Sequence, residues 1–176
     1  MKKKIIIIDN SNLAYSGENI NGISLRGTET SLILLAEQFV KMNIDVDFCN
    51  NILETKIVNG VKYLNKKKMD RTDLYSLAIA VSDANLFDNV NASKKAVFSN
   101  SNQTFEKFVR KKQLLPFLKH KPVLVTLCSY QFNKRSFLTS FHGKKMIPIT
   151  VDPKFLNIDI DLNYYFGQND TWILIF

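Results

Sequence analysis

Four consecutive isoleucines, Ile5 to Ile8, closed by Asp9, constrain this chain more than any other stretch. A short continuous apolar run bounded by a turn-forming acid reads as a strand buried on both faces, as in a parallel sheet. A polar loop follows from Asn10 to Gly27, then a helical pattern from Thr28 to Met42, then a second strand pattern from Ile44 to Phe48. Strand, loop, helix and strand make a βαβ unit. Its loop is long, because connections in α/β units usually take ~2–6 residues and longer ones carry function or are disordered. This one carries Asn21-Gly22 and Arg26-Gly27, with Glu29 where the helix starts. A helix N-terminus beneath a glycine-bearing loop suits an anion.

Within the helix, Thr28 is expected to be the N-cap, and Leu32, Leu35, Ala36, Phe39 and Val40 recur at the spacing of one buried face. In the next strand Ile44, Val46 and Phe48 alternate with Asp45 and Asp47, a period of two that predicts a half-exposed strand. Asn59-Gly60 between Ile57-Val58 and Val61–Leu64 predicts a hairpin. Further strands are predicted at Leu77–Val81, Ala96–Phe98, Val123–Leu127 and Met146–Ile149. Helices are predicted from Thr104 to Gln113, with Phe105, Phe108 and Val109 inward, and from Tyr130 to Phe141. The alternation predicts a single Rossmann-like α/β domain, with a mostly parallel sheet and helices on both faces. Ligands of such sheets bind beyond the carboxyl ends of the strands. Those ends hold Asp9–Gly27, Ser82–Asn85, Ser99–Asn102 and Cys128–Tyr130.

No run approaches the ~18 apolar residues of a membrane span, and Asp9 cuts the lysine-led N-terminal run too early for a signal peptide. Cys49 and Cys128 lack metal-ligand spacing and read as reduced core thiols of a cytoplasmic protein. No metal site or cofactor is expected, and His120 and His142, set among lysines, read as surface residues. The net charge of +8 is uneven: residues 94–145 hold twelve basic side chains and one acid, Glu106. That half is either a solvated lysine-rich face or an attractor of polyanions. Lys111-Lys112 and Lys134-Arg135 could meet a lipid phosphate or an anionic membrane face.

The order of motifs resembles the N-terminal domain of GT-B fold glycosyltransferases, similar to glycosyl transferase family 4. Arg26-Gly27-Thr28-Glu29 leading into Leu34–Val40 is similar to that family's Gly-Gly-x-Glu loop and amphipathic helix. The Asn59-Gly60-Val61 hairpin fits as well, and Met146–Pro153 looks like the segment that joins its two domains. Thr28 departs from the second glycine of the loop, and no His stands in the strand-end loops 82–85 or 99–102. The resemblance implies an acceptor-side domain over residues 1–156, and a linker or the start of a second domain over 157–176. It implies transfer of a sugar from a nucleotide-sugar to a polysaccharide, glycolipid or lipid-linked acceptor. This chain alone would then be incomplete and inactive.

In that setting Gly22, Arg26, Gly27 and Thr28 are the candidates for a donor diphosphate. Asp9, Asn10, Asn100 and Asn102 are candidates for acceptor binding, and Asp83 is the candidate catalytic carboxylate. The bland alternatives are a turn-capping Asp9, a Glu29 that only complements the helix dipole, and an ordinary flexible loop. A competing reading is a stand-alone α/β domain that binds phosphorylated ligands or nucleic acid through the basic patch. Nucleic acid is the less favoured, for want of a recognition motif.

Overall fold

A computed structural model of the chain describes residues 3–21, 25–69, 72–99 and 109–126, and the backbone of 144–146. Among the described residues eight strands form one sheet in the order β3-β4-β2-β1-β5-β6-β7-β8. They are β1 (Lys4–Ile8), β2 (Asp45–Asn50), β3 (Lys56–Val58), β4 (Val61–Asn65), β5 (Leu74–Val81), β6 (Asn91–Ser99), β7 (Val123–Thr126) and β8 (Lys144–Met146). Every pairing is parallel except β3 with β4, whose turn places Asn59 and Gly60 at φ 49° and 81°. That is the hairpin expected from Asn-Gly.

The isoleucine run is the central strand, flanked by β2 and β5. Ile5 and Ile7 join one core with Leu32, Ile33 and Ala36 of helix α1 (Gly27–Lys41). Ile6 and Ile8 join the other with Phe87, of the 3-10 turn Ala84–Asn89, and Phe117, of helix α2 (Leu114–His120). Successive side chains of a strand point to opposite faces, so an all-apolar strand needs cover on both. Helices on both faces of a mostly parallel sheet make this a Rossmann-like α/β fold.

Several expectations are corrected. The N-cap of α1 is Arg26, with an extended backbone and no side-chain cap bond; Thr28 lies inside the first turn. β2 is not half-exposed: Asp47 is 3 % exposed, because Tyr75 Oη donates to it at 2.8 Å and Lys4 Nζ lies 3.1 Å away. Burial pulls the Lys4 pKa down, but its hydrogen bonds and charge interactions with Asp73 and Asp47 together outweigh that and raise it.

Gln113 does not end a helix but stands at the N-cap of α2, a helix absent from the expected pattern. Val109 is exposed rather than inward. His120 is no surface residue. Its side chain is 8 % exposed, edge-on to Phe87, and within 2.9 Å of Asp88 and 3.0 Å of Lys95. The strand expected at Met146–Ile149 begins earlier, at Lys144, and 147–149 lie outside the described residues. Phe105, Phe108, Cys128, the helix expected at 130–141, His142 and the boundary near 156 lie outside the described residues.

Candidate functional site

The chain leaves β1 through α1 on one face of the sheet, and leaves its neighbour β5 through the 3-10 turn on the other. Adjacent strands whose connections part in this way open a crevice at their carboxyl ends. A cleft of about 710 Å³ lies there, lined by residues that follow β1 (Asp9, Asn10, Ser11) and β5 (Ser82, Asp83), by the first turn of α1, and by Lys111 and Gln113.

Asp9 organises the β1 side. Its Oδ1 accepts from the Ser11 N–H at 3.0 Å, and its Oδ2 accepts from Ser11 Oγ at 2.6 Å and Tyr15 Oη at 2.7 Å. An Asp that bonds the backbone two residues on closes an Asx turn. Tyr15 is 1 % exposed. Burial pushes its pKa far up, and the negative charge and hydrogen bond of Asp9 push the same way. Asn50 Nδ2 donates to the Tyr15 carbonyl at 2.6 Å, and Asn51 Nδ2 to that of Asn12 at 3.2 Å. Lys66 Nζ reaches Asn10 Oδ1 at 2.9 Å. The long loop is therefore tied to β2 and to the segment after β4.

At the start of α1, Arg26 Nη2 lies 2.7 Å from Glu29 Oε1. Glu29 is 2 % exposed, and its Oε2 has no hydrogen-bond partner among the described residues. A Cβ on Gly27 would meet nothing within 4 Å, so the helix start is open at that position. On the β5 side Ser82 is held at φ 57°, with its N–H donating to the Phe98 carbonyl at 2.8 Å. Gln113 Nε2 donates to the Ser82 carbonyl at 3.2 Å. A non-glycine residue held in the left-handed region is mildly strained, and such strain concentrates at functional sites. Asp83 caps the 3-10 turn, its Oδ1 accepting from Asn85 N at 2.9 Å and Asn85 Nδ2 at 2.8 Å.

Of the expected site residues, the fold brings Asp9, Asn10, Arg26, Thr28 and Asp83 to one cleft, with Gly27 between two of its lining residues. Gly22, Asn100 and Asn102 lie outside the described residues. Ser11 and Gln113 also line the cleft and were not expected there, and Lys111, expected only to meet a lipid phosphate or membrane face, lines it too. The Asp9-x-Ser11 spacing was a readable Asx-turn signal; the basic run marked Lys111 as an anion contact without placing it in this cleft, and nothing in the sequence pointed to Gln113. Chemically the cleft offers the acceptor oxygens of three carboxylates, the cations Arg26 and Lys111, and the first turn of a helix. Among the described residues no three His, Cys, Asp or Glu side chains converge as a metal-binding group.

No family model matches the sequence. No curated protein matches it either. Among solved structures, the fold is similar to sucrose-phosphate synthase from Thermosynechococcus elongatus, a GT-B glycosyltransferase, with a TM-score of 0.56 and 11% identity. The match covers 91% of this chain and 54% of that one, so the chain spans about half the length of the protein it resembles. The likeness supports a GT-B-like fold and does not reach to family 4.

Proposed function

We propose that this chain is the acceptor-side, N-terminal domain of a GT-B glycosyltransferase of the family 4 kind. It would move a sugar from a nucleotide-sugar to a polysaccharide, glycolipid or lipid-linked acceptor, at the cytoplasmic side of a membrane. The observation that carries the reading is Glu29: a buried carboxylate oxygen without a hydrogen-bond partner among the described residues, beside a cleft at the point where the connections of β1 and β5 part to opposite faces of the sheet. A buried charged acceptor left unsatisfied destabilises a fold, and a ligand hydroxyl would relieve it.

In this reading the residues divide the work by chemistry. A departing diphosphate sits over the first turn of α1, where the N–H groups of Gly27 and Thr28, the helix dipole and Arg26 stabilise its charge. A guanidinium has five donors in a fork, so Arg26 can keep Glu29 and still bind phosphate oxygens. Asp9 and Asn10 hold acceptor hydroxyls and Asp83 orients the reacting one, while a second domain closes the cleft and supplies the rest of the donor pocket. The reading calls on no metal or cofactor.

Saturation-transfer NMR on the full chain tests this with uridine and guanosine diphosphate sugars, hexose phosphates and simple glycosides at millimolar concentration. Signal transfer to a phosphorylated sugar is expected, weakened about tenfold or more by Arg26→Ala through loss of a charge-assisted bond. No transfer from any of these, together with salt-sensitive binding of single-stranded RNA, would replace this reading with the polyanion one.

A further inference from the structure

Helix α2 buries Phe117 against the sheet and turns Leu115 and Leu118 outward. Leu115 is 78 % exposed and Leu118 44 %, and with Pro116, Lys112, Lys119 and Asp88 they line a shallow groove of about 660 Å³. Residues three apart on a helix are neighbours, so the two leucines form one ridge. Its only acid among the described residues, Asp88, is already held by Lys119 Nζ at 2.7 Å and His120 Nε2 at 2.9 Å. Those bonds, Lys119's first, lower the Asp88 pKa. Lys111, Lys112 and Lys121 stand exposed nearby and make no ion pair among the described residues.

We infer that the face formed by Val109–Lys121 docks on an anionic lipid surface, with Leu115 and Leu118 entering the headgroup boundary and the lysines meeting lipid phosphates. Leucines ringed by lysines combine the two terms that bind a protein to such a surface, apolar insertion and attraction to anionic lipid. Nucleic acid fits the face less well. Sequence-tolerant binding of single strands uses exposed aromatic platforms, and the exposed large hydrophobic side chains among the described residues are all aliphatic. The position of the face is apt for a membrane-held ligand. Lys112 lines the groove, while Lys111, the residue before it, lines the cleft beyond β1 and β5.

Flotation of the full chain with phosphatidylcholine vesicles, with and without phosphatidylglycerol, tests the inference without any sugar ligand. Failure would therefore leave the reading of the cleft standing. Binding is expected only with phosphatidylglycerol. Lys112→Glu should weaken it by about fivefold or more, and the double variant Leu115→Ser/Leu118→Ser by about tenfold or more. Both leucines are exposed, so the double variant should melt like the parent, and its melting curve shows that it folds. Equal binding to pure phosphatidylcholine would overturn the inference, as would binding indifferent to the leucines. So would RNA binding that survives the leucine changes, or a dimer that the leucine changes dissolve in a protein that floats with no vesicle.

Discussion

Replacing Glu29 by Met is expected to raise the stability of the ligand-free protein while weakening its ligand. Among the described residues Glu29 Oε1 pairs with Arg26, whose side chain is 72 % exposed, and such a pair contributes ~0–1 kcal/mol. An acid in the first turn adds ~0.3–1 kcal/mol through the helix dipole. Against these stands a buried Oε2 with no partner among the described residues, which costs ~1–3 kcal/mol and more because the group is charged. Met has about the same length, fills the same space and leaves no polar atom unsatisfied. The balance is a gain on the order of 1 kcal/mol, a rise in Tm of about 2–4 °C for a chain of this size. Thermal denaturation followed by circular dichroism reads it directly. A Tm that falls by the same amount would refute the reasoning, because it would mean that the fold itself needs the carboxylate.

Three further outcomes are expected. Asp9→Asn turns one acceptor edge into a donor facing Ser11 and Tyr15, and should lower stability in urea by ~1–3 kcal/mol; an unchanged midpoint would contradict the Asp9 network. Gly60→Ala should destabilise by ~1–3 kcal/mol, because φ is 81° and the new Cβ would lie 2.6 Å from Val40 Cγ1; its urea midpoint checks this. Stability should also fall in alkali. Burial pushes the Cys49 thiol from 9 up to about 12, and likewise raises Tyr15, Tyr63 and Tyr75. The unfolded chain then releases these protons first, so the stabilisation is whole below pH 9 and is lost as pH rises toward the folded values. For Cys49 alone the loss is on the order of 4 kcal/mol by pH 12, and Cys49→Ala should flatten that part of the urea-midpoint profile.

The parallel sheet was legible because burial on both faces writes itself as unbroken apolar runs. Ile5–Ile8 and Leu77–Val81 fall inside β1 and β5, and Asn59-Gly60 marks its turn by the backbone that it permits. Where partners decide the structure, the sequence misled. Asp47 reads as solvent-facing but is buried against Tyr75, a residue twenty-eight positions away. Helix α2 was missed because Pro116 breaks the pattern and Phe117 alone of its residues is buried. In the cleft, Asp9 and Asp83 were found by the rule that ligands gather at strand ends, and Arg26 by the glycine-bearing loop before a helix N-terminus. The Oε2 of Glu29, without a partner among the described residues, was not, since burial and partnering are properties of the packed chain.

The account rests on ligand binding in the cleft beyond β1 and β5. The most direct test is an amide-resolved NMR titration of the full chain with a nucleotide-sugar, followed by a hexose phosphate. Shifts concentrated at Asp9–Ser11, Arg26–Glu29 and Val81–Asp83 are the predicted result. Shifts confined to Lys112–Lys119, or none at millimolar ligand, would contradict it.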